Sequence, residues 1–207
     1  MQVRNRCVFV GLSALLALSL AAGPTSAQNV VTNPGFETGD LTDWQVFGQS
    51  PSSDVVVESP DNGPSAPGSH NAFMDNQAQA VGLTLKQTTA PGSVLPGQVN
   101  WAVDLKLDQA DVGGVLFVEV FAEQSGVGII GGSGLQGPFW PWGAWETFAG
   151  SFEAPAGTDF LTIQILANTG AADGSNCRAH VDNVVLDAQH PVSVESESWS
   201  GVKAQYR

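Results

Sequence analysis

The sequence predicts an all-β fold, a two-sheet antiparallel β-sandwich. Apolar residues alternate with polar ones in several short segments, which is the period of a half-buried strand. The chain has 24 glycines and 12 prolines, enough for a turn after each of these segments. No long segment after residue 27 has the 3.6-residue apolar period of a helix. About nine short strands separated by turns are typical of a two-sheet sandwich.

The first element is predicted to be a secretory signal peptide. Arg4 and Arg6 precede an apolar run at residues 8–22, and residues 25–27 are small, as a cleavage site requires. The apolar run is short for a membrane span. We therefore expect residues 1–27 to be removed and the protein to be secreted. Residues 28–188 would form the sandwich, and residues 189–207 a polar C-terminal tail.

The charge of the chain limits which partners it can bind, and its cysteine content shows whether a disulfide can stabilise it. The chain has 7 basic and 20 acidic residues, and loss of Arg4 and Arg6 with the signal would make it more acidic still. Phosphate would be repelled, so nucleic acid is excluded as an expected partner. Once Cys7 is lost, Cys177 has no partner for an internal disulfide. The domain must then be held by its core and by any bound metal.

Strands are predicted from the alternation itself. Residues 99–107 give the clearest pattern, with one buried and one solvated face. Residues 115–122 are apolar at nearly every position except Glu119, which predicts a central strand covered on both faces, and residues 160–167 resemble them. Shorter strands are predicted at residues 44–47, 54–58, 72–74, 82–88, 145–152 and 179–186. The glycine- and proline-rich residues 59–69 and 124–143 are predicted to be loops.

Two segments at opposite ends of the domain carry the most specific patterns. One is Asn-Pro-Gly-Phe-Glu-Thr-Gly-Asp-Leu at residues 33–41, and the other is His-Val-Asp-Asn-Val-Val-Leu at residues 180–186. With residues 145–155, they resemble the CenC-like carbohydrate-binding modules of bacterial extracellular proteins, within the galactose-binding-like jelly-roll superfamily. The resemblance covers roughly residues 28–187. It implies a sandwich of jelly-roll type and a poly- or oligosaccharide partner.

Each of these two segments contributes a carboxylate, Glu37 and Asp182. Calcium binds carboxylates together with the backbone carbonyls that turns expose. We therefore expect Glu37 and Asp182 to share one structural calcium ion. The alternative is that both carboxylates only accept hydrogen bonds from turn amides.

A cluster of aromatic residues is the best candidate for a ligand site. Phe139, Trp140 and Trp142 lie in a loop flanked by glycine and proline, and an indole face suits the C–H face of a sugar ring. We expect these three residues to bind the ligand. The alternative is that the tryptophans fold back as a hydrophobic plug. Core packing is expected instead for the tryptophans at strand positions, Trp44, Trp101 and Trp145.

No motif predicts catalysis. The glycines at 126, 128 and 131 match a dinucleotide fingerprint formally, but no helix follows them. The interior strands offer only isolated carboxylates, Asp104 and Glu119, and the three histidines lack metal-ligand spacing and are expected at the surface. We predict a secreted non-catalytic glycan-binding module. A structural or adhesive extracellular surface protein on the same fold is the alternative, and a glycoside hydrolase ranks third. Residues 199–207 resemble C-terminal segments of exported bacterial proteins.

Overall fold

The computed structural model describes residues 27–191; the predicted signal before Ala27 and the predicted tail segment from residue 192 onward lie outside the described residues. Within residues 27–191 there is no helix, and hence none long and apolar enough to cross a membrane. Twelve strands are present: β1 (Ala27–Asn29), β2 (Gln45–Phe47), β3 (Ser53–Glu58), β4 (Asn71–Asn76), β5 (Gly82–Thr88), β6 (Gly97–Asp111), β7 (Val115–Gln124), β8 (Gly128–Gly132), β9 (Gln136–Phe139), β10 (Glu146–Ala154), β11 (Phe160–Asn168) and β12 (Asn176–Gln189).

The strands form two antiparallel six-stranded sheets. Sheet A has the order β10-β6-β12-β4-β3, with β1 also paired to β12. Sheet B has the order β2-β5-β11-β7-β8, with β9 also paired to β7. The predicted all-β jelly-roll sandwich is confirmed. β12 ends at Gln189, one residue beyond the predicted domain boundary, where Gln189 pairs with Ala27.

The core lies between the sheets and is built by the alternation that the sequence displays. Val99, Trp101, Val103, Leu105 and Leu107 of β6 all point inward and are buried, as are Leu161, Ile163 and Ile165 of β11. Gly150 of β10 lies directly across from Trp101. A Cβ at Gly150 would lie 2.7 Å from the indole of Trp101, so glycine leaves the space that this ring occupies.

Sheet B differs from the prediction at two places. β7 is central, but only one of its faces is covered; Phe117, Glu119 and Phe121 are half-buried on the outer face. Residues 124–143, predicted to be a loop, contain β8 and β9. Their glycines interrupt the alternation from which a strand is predicted, yet they allow close pairing: a Cβ at Gly132 would clash with the Val120 carbonyl.

Two side chains on the outer face of sheet A also differ from expectation. Trp145 is half-buried rather than part of the core; its Nε1 donates to Asp61 Oδ1 at 3.2 Å, and Lys106 Nζ lies 5.2 Å from its ring centroid. His180, expected at the surface, is buried. Its two ring nitrogens lie 2.8 Å from Asn71 Oδ1 and 3.0 Å from Asp108 Oδ2.

Candidate functional site

The opening segment folds against the closing strand. Phe36 is fully buried, and its ring packs against Trp44 with centroids 5.4 Å apart. The Trp44 indole donates to the Asn33 carbonyl at 3.1 Å. The amide of Val184 donates to the Pro34 carbonyl at 2.9 Å, which joins the two ends of the domain. The two motifs that are farthest apart in the sequence therefore meet.

A bulge in β12 aims two polar side chains at this junction. The pairing of β12 with β6 shifts register between Asp182 and Val185, and Asn183 has a φ of 48°. As a result, Asp182 Oδ1 and Asn183 Oδ1 lie 3.4 Å and 3.5 Å from the position of a Cβ on Gly35. Glycine at this position leaves room for both oxygens to face the opening turn.

The two buried aspartates of this region hold residues 59–70 over the outer face of sheet A. Gly63 N donates to Asp182 Oδ2 at 2.7 Å. Ser65 donates to Asp104 through its amide, at 2.8 Å, and through its hydroxyl, at 2.6 Å. The Thr147 hydroxyl adds a third donor to Asp104. Asp104, which the sequence suggested would face solvent, is therefore fully buried beneath this segment.

Glu37 fastens the other end of the same segment. Its Oε1 accepts hydrogen bonds from the amides of Ser69 and His70, each at 2.9 Å. A Cβ at Gly68 would lie 2.5 Å from that oxygen, so glycine permits the close approach. Burial opposes ionisation, but the hydrogen bonds from Ser69 and His70 outweigh it and hold the pKa of Glu37 below its ordinary value.

The pKa of Asp182 is shifted in the opposite direction to that of Glu37. Asp182 is 1% exposed, and burial, opposed by the amides of Gly63 and Asn183, raises its pKa to about 6. The negative charges of Asp104 and Glu37 raise it further. Within residues 27–191, no lysine or arginine forms an ion pair with Asp182 or Asp104. The junction thus has buried negative charge without a cationic side chain to balance it.

The donor atoms at the junction fit a hard cation in type and in charge. Glu37 and Asp182 both lie near Gly35, with Glu37 Cγ 3.7 Å and Asp182 Oδ1 3.4 Å from its Cβ position. The carboxylate and amide oxygens there are the ligand type that calcium prefers, and His70 Nδ1 lies 3.3 Å from Glu37 Oε2. Within residues 27–191, however, no three His, Cys, Asp or Glu side chains converge as a metal-binding group. A cation here would also need Asn183 Oδ1 and backbone carbonyls or water.

The predicted aromatic residues lie at the end of β9 and directly after it. Trp140 and Trp142, here called the Trp pair, are 43% and 53% exposed. Their ring centroids are 6.1 Å apart and their planes differ by 14°. Phe139 lies deeper, partly buried, with its ring centroid 4.4 Å from that of Phe148. The structure therefore presents two nearly parallel and exposed indoles.

The backbone around the Trp pair is tied to sheet A. Pro141 is buried, and its carbonyl accepts a hydrogen bond from Leu107 N at 2.7 Å. Gly143 N donates to the Leu107 carbonyl at 3.0 Å. These two bonds fix the backbone on either side of Trp142, so the segment that carries the two indoles is tied to β6.

The outer face of sheet B is a second accessible surface, which the sequence analysis missed. The strand register places a mostly apolar row beside a polar row on this face. The apolar row is Phe117, Leu166, Thr84 and Phe47, and the polar row is Glu119, Gln164, Lys86 and Gln45. Gln164 Nε2 donates to Glu119 Oε2 at 3.1 Å. The sequence of β7 could have indicated this surface, because its outer face alternates aromatic and acidic residues: Phe117, Glu119, Phe121 and Glu123 occupy every second position.

No family model matches the sequence, and no curated protein matches it. Solved structures with the same fold do exist. The xylan-binding domain CBM22-1 of Paenibacillus barcinonensis Xyn10C has a TM-score of 0.56 and 13% identity, with 82% of this chain and 100% of that chain covered. TmCBM61, solved with β-1,4-galactotriose, has a TM-score of 0.50 and 14% identity, with 78% and 99% covered.

A third similar structure is the enzymatically active domain of tailspike protein 4 from bacteriophage CBA120. Its TM-score is 0.60 at 13% identity, with 77% of this chain covered; this chain spans only 21% of the tailspike chain. At these identities the likeness concerns the fold. The chain has the jelly-roll β-sandwich fold of carbohydrate-binding modules, as the resemblance of its end motifs implied.

Proposed function

We propose that this chain is a secreted, non-catalytic glycan-binding module whose ligand stacks on the Trp pair. The observation that carries the proposal is the geometry of Trp140 and Trp142, two exposed and nearly parallel indoles on a hydrogen-bonded backbone. An indole offers a flat apolar face to a sugar ring while its N–H remains free to hydrogen-bond. A site held in its binding geometry also loses less conformational entropy when the ligand binds.

A neutral poly- or oligosaccharide fits the surroundings of the Trp pair better than a charged one. Residues 124–145, which include both tryptophans, contain no acidic, basic or histidine side chain. The chain as a whole has a formal net charge of −13, which would repel polyanionic glycans at low ionic strength. The ligand class that we propose is therefore a neutral glycan.

The positions of the carboxylates support binding without hydrolysis. Asp104 is buried beneath residues 59–70 and accepts several hydrogen bonds. Glu119 and Glu123 share the outer face of sheet B, and each accepts a hydrogen bond from a side chain of β11, Glu119 from Gln164 and Glu123 from Thr162. These carboxylates therefore already have hydrogen-bond partners within the sheet.

The test is retention on neutral polysaccharides, with xylan and β-1,4-galactan as the first probes. The double variant Trp140→Ala/Trp142→Ala should lose retention, because truncating a central tryptophan typically costs about 2 kcal/mol or more, roughly thirtyfold in affinity. Its melting temperature should stay close to that of the parent, since both rings are about half exposed.

The matched control is Phe117→Ala/Phe121→Ala, which removes two aromatic rings from the outer face of sheet B. This variant should keep its retention if the Trp pair is the site. Loss of retention in the phenylalanine variant alone would move the site to sheet B. Absence of retention by the parent on any neutral polysaccharide would favour the alternative, a structural or adhesive surface protein on the same fold.

We also propose a structural calcium ion at the junction of the two ends, bound by Glu37 and Asp182 with help from Asn183. The supporting observation is the buried negative charge of Asp182 and Asp104, which no lysine or arginine of residues 27–191 balances by an ion pair. Bound calcium would supply the missing positive charge there.

A further inference from the structure

One edge of sheet B has no charged side chain. β8 and β9 lie one after the other along β7, and no strand of residues 27–191 pairs with their outer side. Both strands fall within residues 124–145, the uncharged stretch of an otherwise acidic chain. This edge therefore presents backbone donors and acceptors without electrostatic protection.

Aliphatic side chains are exposed along the same edge. Val127 is 68% exposed, Ile129 60% and Leu135 53%. Ile129 lies opposite Glu123 in the register of β8 with β7, so its side chain is on the outer face of sheet B. Exposed apolar side chains on an unpaired strand are features of a surface that pairs with another strand.

The other edges of the sandwich are protected in the ways that are usual for soluble proteins. β3 carries Asp54 and Glu58, and β10 carries Glu146 and Glu153. β1 and β2 have only three residues each. Charges and short length both discourage pairing between sheet edges. β9 is short and carries Pro138, whereas β8 has five residues and neither a charge nor a proline, although one register shift interrupts its pairing with β7.

We propose that the β8 strands of two copies of this chain pair antiparallel across a two-fold axis and join their B sheets into one. Two copies with a net charge of −13 each repel one another, and an uncharged edge is where they can approach at the least electrostatic cost. An antiparallel pair uses the same strand of both copies, which a two-fold axis requires. Backbone hydrogen bonds supply the attraction, and the Ile129 side chains of both copies lie on one face.

Self-association does not depend on glycan binding, so it can be tested without a ligand. The molar mass of the full chain is measured by sedimentation equilibrium over a range of concentrations. We expect the parent to approach twice the mass of one chain. Ile129→Glu should weaken dimerisation by at least about tenfold, which corresponds to 1.4 kcal/mol, because it places a negative charge from each copy on the same face of the joined strands. Val56→Glu, the same kind of change at an exposed position of β3, should leave the dimer unchanged.

Salt dependence provides an independent check. Repulsion between the acidic bodies is screened as ionic strength rises, so the dimer should tighten between low and moderate salt. A parent that remains monomeric at the highest concentration would overturn the proposal. That result would mean that a second copy does not bind the β8 edge, whatever else covers it, residues 192–207 included. A folded Ile129→Glu chain that associates like the parent would also overturn the proposal. If that variant does not fold, Val127→Glu, in the turn before β8, takes its place with the same expectations.

Discussion

Asp182→Asn tests the charge balance at the junction of the two ends. Burial raises the pKa of Asp182 from 3.8 to about 6. Each pKa unit corresponds to 1.36 kcal/mol, so ionised Asp182 costs the native state about 3 kcal/mol at neutral pH when no cation is bound. Asparagine removes this cost, but its NH₂ group then faces one of the two amides that donate to Asp182, which costs about 1 to 3 kcal/mol. In chelator at pH 7.5 we expect a net gain of about 1 kcal/mol.

The pH dependence has a definite sign. A raised pKa means that the native state holds the proton more tightly than the unfolded chain does. The stability from this group is therefore fully present below about pH 4 and is lost as pH rises through about 6. In chelator, the parent should lose stability relative to Asp182→Asn across this window. Groups with lowered pKa that do not interact with Asp182, such as Asp61 and Asp111, act in both proteins and cancel in the difference.

Calcium should reverse which of the two proteins is the more stable. An ion that binds only the native state stabilises it by about 2.7 kcal/mol at a hundredfold excess over its dissociation constant. The parent should gain this stability at pH 7.5, and Asp182→Asn should gain little because it has lost a charged ligand. The variant is then more stable in chelator and the parent more stable in calcium.

The assay is urea unfolding at pH 4 and 7.5, with chelator or with excess calcium, followed by tryptophan fluorescence. Asp187→Asn is the control, since it removes one negative charge from the same strand outside the junction. Equal calcium effects on the parent and on Asp182→Asn would refute the metal site, as would a parent without metal and without any response to calcium. A difference between the two proteins in chelator that is the same at pH 4 and 7.5 would refute the charge argument.

Two further predictions concern the core. Gly150→Ala should destabilise the domain by about 1 to 3 kcal/mol in urea unfolding, because the added methyl would lie 2.7 Å from the Trp101 indole; no change would show that this ring is free to move. The thiol of Cys177 is buried, with its pKa raised to about 12 by that burial, so it should not react with a thiol reagent in the native protein and should react fully in urea. Rapid labelling of the native chain would contradict this placement.

Much of the fold follows from local alternation, which the sequence displays directly. β5 has the predicted bounds, and β6, β7 and β11 extend the predicted strands by a few residues. β8 could not be predicted in this way, because glycine occupies three of its five positions and carries no side chain to alternate. β8 is a strand because its backbone pairs with that of β7, and this pairing leaves no alternating pattern in the sequence of β8.

The buried carboxylates could not be located from the sequence for a different reason. Ser65 binds Asp104 across 39 residues, and Gly63 binds Asp182 across 119. Alternation assigned Asp104 correctly to the outer face of β6, but nothing local indicated that residues 59–70 would lie over it. In contrast, the exposure of the Trp pair agrees with a local feature, since glycines and prolines surround both tryptophans and leave them outside any strand.

The covering of sheet A also determines where a glycan has room to bind. Residues 59–70 lie across its outer face and are held there by Glu37, Asp104 and Asp182, with the indole of Trp145 bound to Asp61 beside them. A polysaccharide chain could reach that face only after these hydrogen bonds were broken. The outer face of sheet B has no comparable covering segment within residues 27–191, and the Trp pair is exposed after β9. The binding experiment therefore needs only two double variants, one for each accessible aromatic surface.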